Sequence, residues 1–342
     1  MKIDIFCHVF PEHVLQRCFD AAPNLKDMGK RIKHCTMLFD LDLRFRVMDR
    51  FGDYCQVISL ASPPLEAFGG PAVTPDLARA ANDAMADMVR RYPQRFPGFI
   101  CCLPMNNPAA AEIELQRALR DLGSRGVQIF TNVGGLPLDR PEFRFLFEVM
   151  SSHDLPIWLH PARGANFPDY LSEDRSLYEI WWTFGWPYET SVAMSRLVFA
   201  GIFDQWPDIK IITHHMGAMA PYFEGRIGHG WDQLGTRTSD TDYTALRASM
   251  RMRPLDYFKK FYADTAVFGA AAATQCGLSF FGVDQVLFAS DTPFEPEPGT
   301  YIRETIDVLD RLEISDDERD RIYRRNAERL LRLGAGAVHA AK

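Results

Sequence analysis

Lys2-Ile3-Asp4-Ile5-Phe6-Cys7-His8, followed by Val9-Phe10-Pro11, is the stretch on which the reading of the fold turns. It is short and apolar, charged only near its start, and reads as a buried strand. It carries a histidine to its carboxyl end, where α/β sheets keep their chemistry. What His8 meets there decides the function. A second question is why Phe6, two residues earlier on the same face, is not another histidine.

Working outward, the pattern of this strand recurs. Residues 54–60, 96–103, 126–130, 155–160, 208–215, 261–264 and 285–291 read as seven further strands. Between them lie amphipathic segments. The spacing predicts a helix over 42–51, with Leu43, Val47 and Met48 apolar and Gly52 as its stop. A second spans 75–92, with Leu77, Ala81, Met85 and Met88 on one face. Others are expected over 108–122, 142–153, 221–231 and 301–312, and a helix over 316–333 closes the chain. Alternation of this kind means parallel strands joined by crossover helices. Eight of them predict an α/β fold of the (β/α)8 TIM-barrel type, distorted and with rim insertions. The chain, residues 1–342, is expected to form one such domain, with insertions at about 9–40 and 161–190. The second insertion holds Tyr178, Trp181, Trp182, Phe184 and Trp186, and is read as a lid or substrate wall over the barrel mouth.

Composition sets the limits. The 342 residues are 47% hydrophobic and 24% charged, which is ordinary globular material with enough apolar content for one large core. A net charge of −7 and the lack of a basic run argue against a nucleic-acid or anionic-membrane partner. No apolar run reaches the ~18 residues of a membrane span, and residues 1–11 do not resemble a secretory leader. The seven cysteines are odd in number and scattered, without a CxxC pair. Buried thiols in a reducing cytoplasm are expected.

The strand ends carry the chemistry. His8 ends the first strand, His160 the fifth, His214 and His215 the sixth and Asp291 the eighth. A barrel brings all these ends to one mouth. Imidazoles with a carboxylate suit a divalent ion such as Zn²⁺, and three protein ligands leave a position open for water or substrate. The other histidines, at 13, 34, 153, 229 and 339, lack such placement; His339 is expected in a frayed tail.

At this point the chain resembles the amidohydrolase superfamily. Within it, the chain is similar to the branch containing aminocarboxymuconate semialdehyde, γ-resorcylate and 5-carboxyvanillate decarboxylases. The resemblance runs through nearly the whole chain. Its carriers are Leu43-Arg-Phe-Arg-Val-Met-Asp49 with Gln56-Val-Ile-Ser59, then Gly126-Val-Gln-Ile129, Leu155-Pro-Ile-Trp-Leu-His-Pro161 and Glu189-Thr-Ser191. Further on come Pro207-Asp-Ile-Lys-Ile-Ile-Thr-His-His-Met-Gly217, Pro221-Tyr-Phe-Glu-Gly-Arg226, Asp264-Thr265, Phe288-Ala-Ser-Asp-Thr-Pro-Phe294 and Asn326-Ala-Glu-Arg-Leu-Leu331. Each is weak alone; in order, at matching intervals, they are strong.

The resemblance implies that His8, His160 and Asp291 bind one divalent metal ion, Zn²⁺ or Mn²⁺, and that His215 is the acid/base beside it. It implies that Arg44 grips a substrate carboxylate, which suits a guanidinium fork, and that Arg226 reaches the neighbouring site of a homodimer. Trp186 belongs to the aromatic wall expected around a flat substrate. His214 has no family role and reads as packing or support for its neighbours.

One departure matters. The family ends its first strand in His-x-His or Glu-x-His, and here Phe6 stands in the first ligand's place. Phenyl cannot coordinate, and Cys7 points to the opposite face. The implied reaction is non-oxidative decarboxylation of a small aromatic or dienoic acid, with Asp291 or His215 supplying the proton. Hydrolysis of a lactone, amide, ester or thioester in the same mouth, with or without metal, is the rival. A degenerate site in a binding or structural protein is the third reading.

Overall fold

The computed structural model describes residues 1–334, so the expectation for His339 lies outside the described residues. Eight parallel strands form the frame. β1 (Lys2–Val9) pairs with β2 (Tyr54–Leu60), and β2 with β3 (Gly98–Ile100). β4 (Val127–Phe130), β5 (Ile157–His160), β6 (Ile211–Thr213), β7 (Tyr262–Asp264) and β8 (Val286–Leu287) follow side by side in chain order.

Backbone hydrogen bonds join these two sheets at both seams. Between β3 and β4, Cys101 N donates to Gly126 O at 3.1 Å and Gln128 N donates to Cys101 O at 2.9 Å. Between β1 and β8, Ile5 N donates to Phe288 O at 3.0 Å, and His8 N to Thr292 O at 2.8 Å. The circuit is that of a (β/α)8 barrel. Crossover helices include Thr74–Arg91, Pro108–Arg120, Arg144–His153 and Thr300–Arg311, each within a few residues of its expected span, and Ala271–Phe281, which the sequence reading did not anticipate.

Two shells of apolar side chains follow from strand alternation. Ile3, Ile5, Phe6, Val57, Ile100, Trp158, Ile212, Leu287 and Ala289 pack together inside the barrel. Ile58, Phe99, Ile129, Leu159, Ile211, Ala263 and Val286 face outward onto helix residues such as Leu77, Ala81, Met85 and Leu115. β1 breaks the alternation once. Its register against β2 shifts between Asp4 and Cys7, a bulge that puts Ile5 and Phe6 both inside. Alternation then resumes, and Phe6 and His8 share the inner face as the sequence pattern requires.

The strands are shorter than the sequence suggests, because side chains replace part of the ladder. Past β8, Ala289 N donates to Thr265 Oγ1 at 2.9 Å, and that hydroxyl donates to Ala289 O at 2.9 Å. Ser290 N and Oγ both donate to Asp4, at 3.1 and 2.5 Å. The closing helix is also broken up, into Asp316–Asp320, a π turn at Arg321–Arg325 and Asn326–Leu331. Asn326 Nδ2 donates to Val283 O and Val286 O, both at 2.8 Å, which ties this segment to β8. Among the described residues, no helix is long and apolar enough to cross a membrane.

Gly126 sits at the β3–β4 seam with no room for a side chain. A Cβ there would meet Pro156 O at 2.4 Å and the Trp158 ring at 2.6 Å. Gly126→Ala is therefore expected to cost about 1–3 kcal/mol, read as a lower denaturant midpoint with an unchanged slope.

Candidate active site

The carboxyl ends of β1, β5, β6 and β8 meet at one point. His8 Nε2 lies 2.9 Å from Asp291 Oδ1, His214 Nε2 lies 3.2 Å from the same oxygen, and His215 Nε2 lies 3.6 Å from Oδ2. The ligand atoms of His8, His160 and His214 all fall within 4.8 Å of one another. The expected residues His8, His160, His215 and Asp291 are thus brought together, and His214 joins them at the centre.

Each ring is held from behind. His8 Nδ1 is 3.2 Å from Ser59 Oγ on the neighbouring strand. His160 Nδ1 is 2.7 Å from Pro161 O. A carbonyl only accepts, so that nitrogen carries the proton and Nε2 keeps its lone pair, 3.2 Å from Ser62 Oγ. His214 Nδ1 is 2.5 Å from Asp264 Oδ2 at the end of β7. Asp264 Oδ1 also accepts from His215 N at 3.0 Å. His215 and Met216 adopt left-handed backbone, φ +56° and +54°. This turn reverses the chain at the strand end and lets two consecutive histidines face the same centre, which a strand could not do.

The electrostatics follow from burial and these contacts. Burial disfavours the ionised form of Asp291, but His214, His215 and His8 outweigh it and hold the carboxyl well below the usual range. Burial, with His214 and His8 beside it, lowers His160 far below the ordinary imidazole value. Burial and the adjacent His214 also lower His215. For His214 burial acts in the same direction, but Asp264 and Asp291 more than offset it and raise its pKa to about 9. Around neutral pH, Asp291 is ionised while His160 and His215 are neutral imidazoles.

A cavity of about 1190 Å³ opens above this centre, with His160, His215, Asp291 and Ser62 on its floor. Tyr178, Trp181, Trp182 and Trp186 from the 161–190 insertion form one wall, and Phe268, Phe294 and Tyr301 another. Trp186 is held by Nε1 donating to Arg163 O at 3.1 Å, and its ring stands edge-on to His160 at 5.7 Å. Lys30, Arg31 and Arg175 bring positive charge to the lining.

Two expected substrate residues are elsewhere. Arg44 is not in the cavity; it is fully buried behind β1. Its guanidinium donates to Met37 O, Gln56 Oε1 and His8 O, so its fork is spent on the protein. The expectation that it grips substrate is corrected accordingly: it fixes the carbonyl of His8. Arg31, 13 residues earlier, reaches the cavity, as Arg175 does, and is braced by donation to Phe294 O at 2.6 Å. Arg226 is exposed on the helix Glu224–Asp232 and does not line the cavity of its own chain. Cys7 is buried on the outer face beside Asp4 and Tyr54, and burial pushes its thiol far up.

Sequence reasoning quoted Asp264 only within the Asp264-Thr265 motif, without a role, and passed over Ser62 and Arg31. Asp264 had a signal: it too is a polar residue at a strand end. Ser62 and Arg31 lie in irregular segments, whose path no periodicity describes.

A parallel barrel with an imidazole and carboxylate centre under an aromatic cavity defines the class. The chain matches the amidohydrolase family profile over residues 4–333 and belongs to that family. It is 32% identical over 313 residues to gamma-resorcylate decarboxylase of a Polaromonas species, covering 87% of this chain and 89% of that one. It is 28% identical to 2-amino-3-carboxymuconate-6-semialdehyde decarboxylase of Dictyostelium discoideum, over 88% of this chain and 85% of that one. Among solved structures, 2,6-dihydroxybenzoate decarboxylase from Rhizobium superposes with a TM-score of 0.78 at 29% identity, covering 97% and 98% of the two chains. The Polaromonas dihydroxybenzoic acid decarboxylase, crystallised with manganese and the inhibitor 2-nitroresorcinol, gives 0.79 at 28% identity and 99% coverage of each chain.

Arg44→Met would leave Met37 O, His8 O and the Gln56 amide without donors in the core. Its expected cost is on the order of 3 kcal/mol, measured by chemical unfolding. Arg44→Lys should recover little of it, since an ammonium cannot span the three acceptors.

Proposed function

We propose that the protein is a metal-dependent, non-oxidative decarboxylase of a small aromatic carboxylic acid. The observation that carries this reading is the placement of the Asp291–His215 pair, 3.6 Å apart, on the floor of an aromatic-walled cavity with cations in its lining. Relatives that decarboxylate aromatic acids support it.

The residues fit a divalent ion. His160 is a neutral imidazole whose Nδ1 is already occupied, Asp291 is ionised, and His214 Nε2 is a buried nitrogen without a hydrogen-bond partner. His8, His160 and Asp291 would hold the ion, Zn²⁺ or Mn²⁺, which when bound would neutralise anionic oxygens of the substrate and the charge that develops as CO₂ leaves.

The rest falls to the chain. Trp186, Trp181 and Phe268 offer flat apolar faces that orient an aromatic ring and keep water from it. Arg31 meets an anionic group, the task first assigned to Arg44. When the carbon–carboxylate bond breaks, its electron pair stays on the ring carbon, which must take a proton. Asp291 is ionised and His215 neutral beforehand, so the pair first takes up a proton from the substrate's own acidic group or from solvent; His215 Nε2 and Asp291 Oδ2 then hold it between them and deliver it from the floor. The protein is further read as a homodimer, with exposed Arg226 directed to the neighbouring subunit; a dimeric mass in solution is the expected result of sedimentation.

Incubation with hydroxylated benzoates should release CO₂ and the corresponding phenol. Turnover of a lactone, amide or ester, with no CO₂ from any acid, would establish the hydrolase reading instead. His215→Ala should lower kcat/KM by about 100-fold or more with the loss in kcat. Arg31→Ala should raise KM with a smaller change in kcat.

A further inference from the structure

His214 has no part in the proton transfer above, yet the fold invests heavily in placing it. Its ring is buried to 1% exposure. Asp264 clamps Nδ1 at 2.5 Å, an arrangement that fixes which nitrogen bears the proton and aims the other one. The nitrogen so aimed, Nε2, faces the common centre. It stands 3.2 Å from Asp291 Oδ1, an ion-pair approach outside hydrogen-bond geometry, and no other described residue bonds to it; a cation bound there would displace the proton that Asp264 and Asp291 favour on the ring. A buried ring nitrogen outside hydrogen-bond geometry and aimed at a carboxylate marks a place that a cation would fill.

The neighbour across from it is Phe6. The phenyl and His214 rings are 4.2 Å apart, and Phe6 also touches His8 at 4.9 Å and His160 at 5.8 Å between centroids. Phe6 thus packs against all three imidazoles and contributes no donor. The position emptied of a ligand in β1 and the extra histidine after β6 are one spatial pair.

We propose that His214 Nε2 is a metal ligand of this chain, standing in for the donor that Phe6 does not provide. The protein set becomes His8, His160, His214 and Asp291, with Asp264 orienting His214 and with His215 left free for acid/base work. Three imidazoles and one carboxylate favour Zn²⁺ over Mn²⁺, because nitrogen donors suit zinc and oxygen-rich sites suit manganese. This rests on the reading that the cluster holds a divalent ion.

The test reads the ligands directly. Wild-type protein loaded with Zn²⁺ is examined by zinc-edge X-ray absorption, which counts imidazoles. Three are expected. A count of two on a bound zinc overturns the proposal while leaving metal dependence intact, whereas failure of the protein to bind any divalent ion overturns the parent reading. Affinity loss alone would not separate a ligand from a supporting group, so variants are judged on spectra. In cobalt-loaded protein, His214→Gln should change the visible d–d bands, and adding Phe6→His to that variant should restore affinity. An unchanged cobalt spectrum in a folded His214→Gln protein overturns the proposal. Should that variant fail to fold, the imidazole count on the wild type still decides.

Discussion

The Asp291 carboxylate is the group on which the site depends. It is buried at the end of β8, and three imidazoles from β1 and the turn after β6 converge on its two oxygens. A carboxylate in such a place stays ionised only while those rings remain within reach. The barrel is what keeps them there. β8 and β1 are neighbours only because the sheet closes, and closure is secured by Ile5 N to Phe288 O and by Ser290 on Asp4. Asp4 sits three residues before Cys7 on the outer face and Asp291 directly after Ser290. The bond that shuts the seam therefore also sets the height at which Asp291 enters the mouth.

Support for the centre comes from a ring of polar contacts that never reach the cavity. Arg44 holds the carbonyl of His8, Ser59 its Nδ1, Pro161 O the Nδ1 of His160, and Asp264 both His214 and the backbone of His215. Among the described residues no carboxylate lies within bonding distance of buried Arg44, an arrangement tolerable because its fork finds three matched acceptors. The cost of burying these groups is borne by the fold, and the return is an arrangement of rings that substrate binding need not create.

Much of this was legible in the sequence. Strand order, the alternation with helices and the strand-end histidines follow from periods of 2 and 3.6 residues, and both patterns survive in the structure. Phe6 and His8 share a face as alternation demands. What periodicity could not show was direction in three dimensions. Arg44 and Arg31 are both cations between β1 and β2, and only the path of the chain through 9–40 decides which faces the cavity. The inward direction of His214 was hidden for a related reason. Consecutive residues of a strand point to opposite sides, so two adjacent histidines cannot both face the mouth unless the strand ends between Thr213 and His214. It does, through left-handed residues at 215 and 216, and neither His nor Met signals such backbone as glycine would.

Phe6 then acquires a physical role of its own. The bulge before it turns an extra side chain into the barrel, and a phenyl fills the volume beneath His8, His160 and His214 without offering a donor. A second carboxylate at this level would have placed another charge beside Asp291, which would have had to be neutralised or paired. An apolar floor instead excludes water from the back of the centre. In that drier environment the pairing of His214 with Asp264 and Asp291 is stronger than it would be in a hydrated cleft. The residue that looks like a defect in the strand-end pattern is thus part of what makes the neighbouring histidine's position strict.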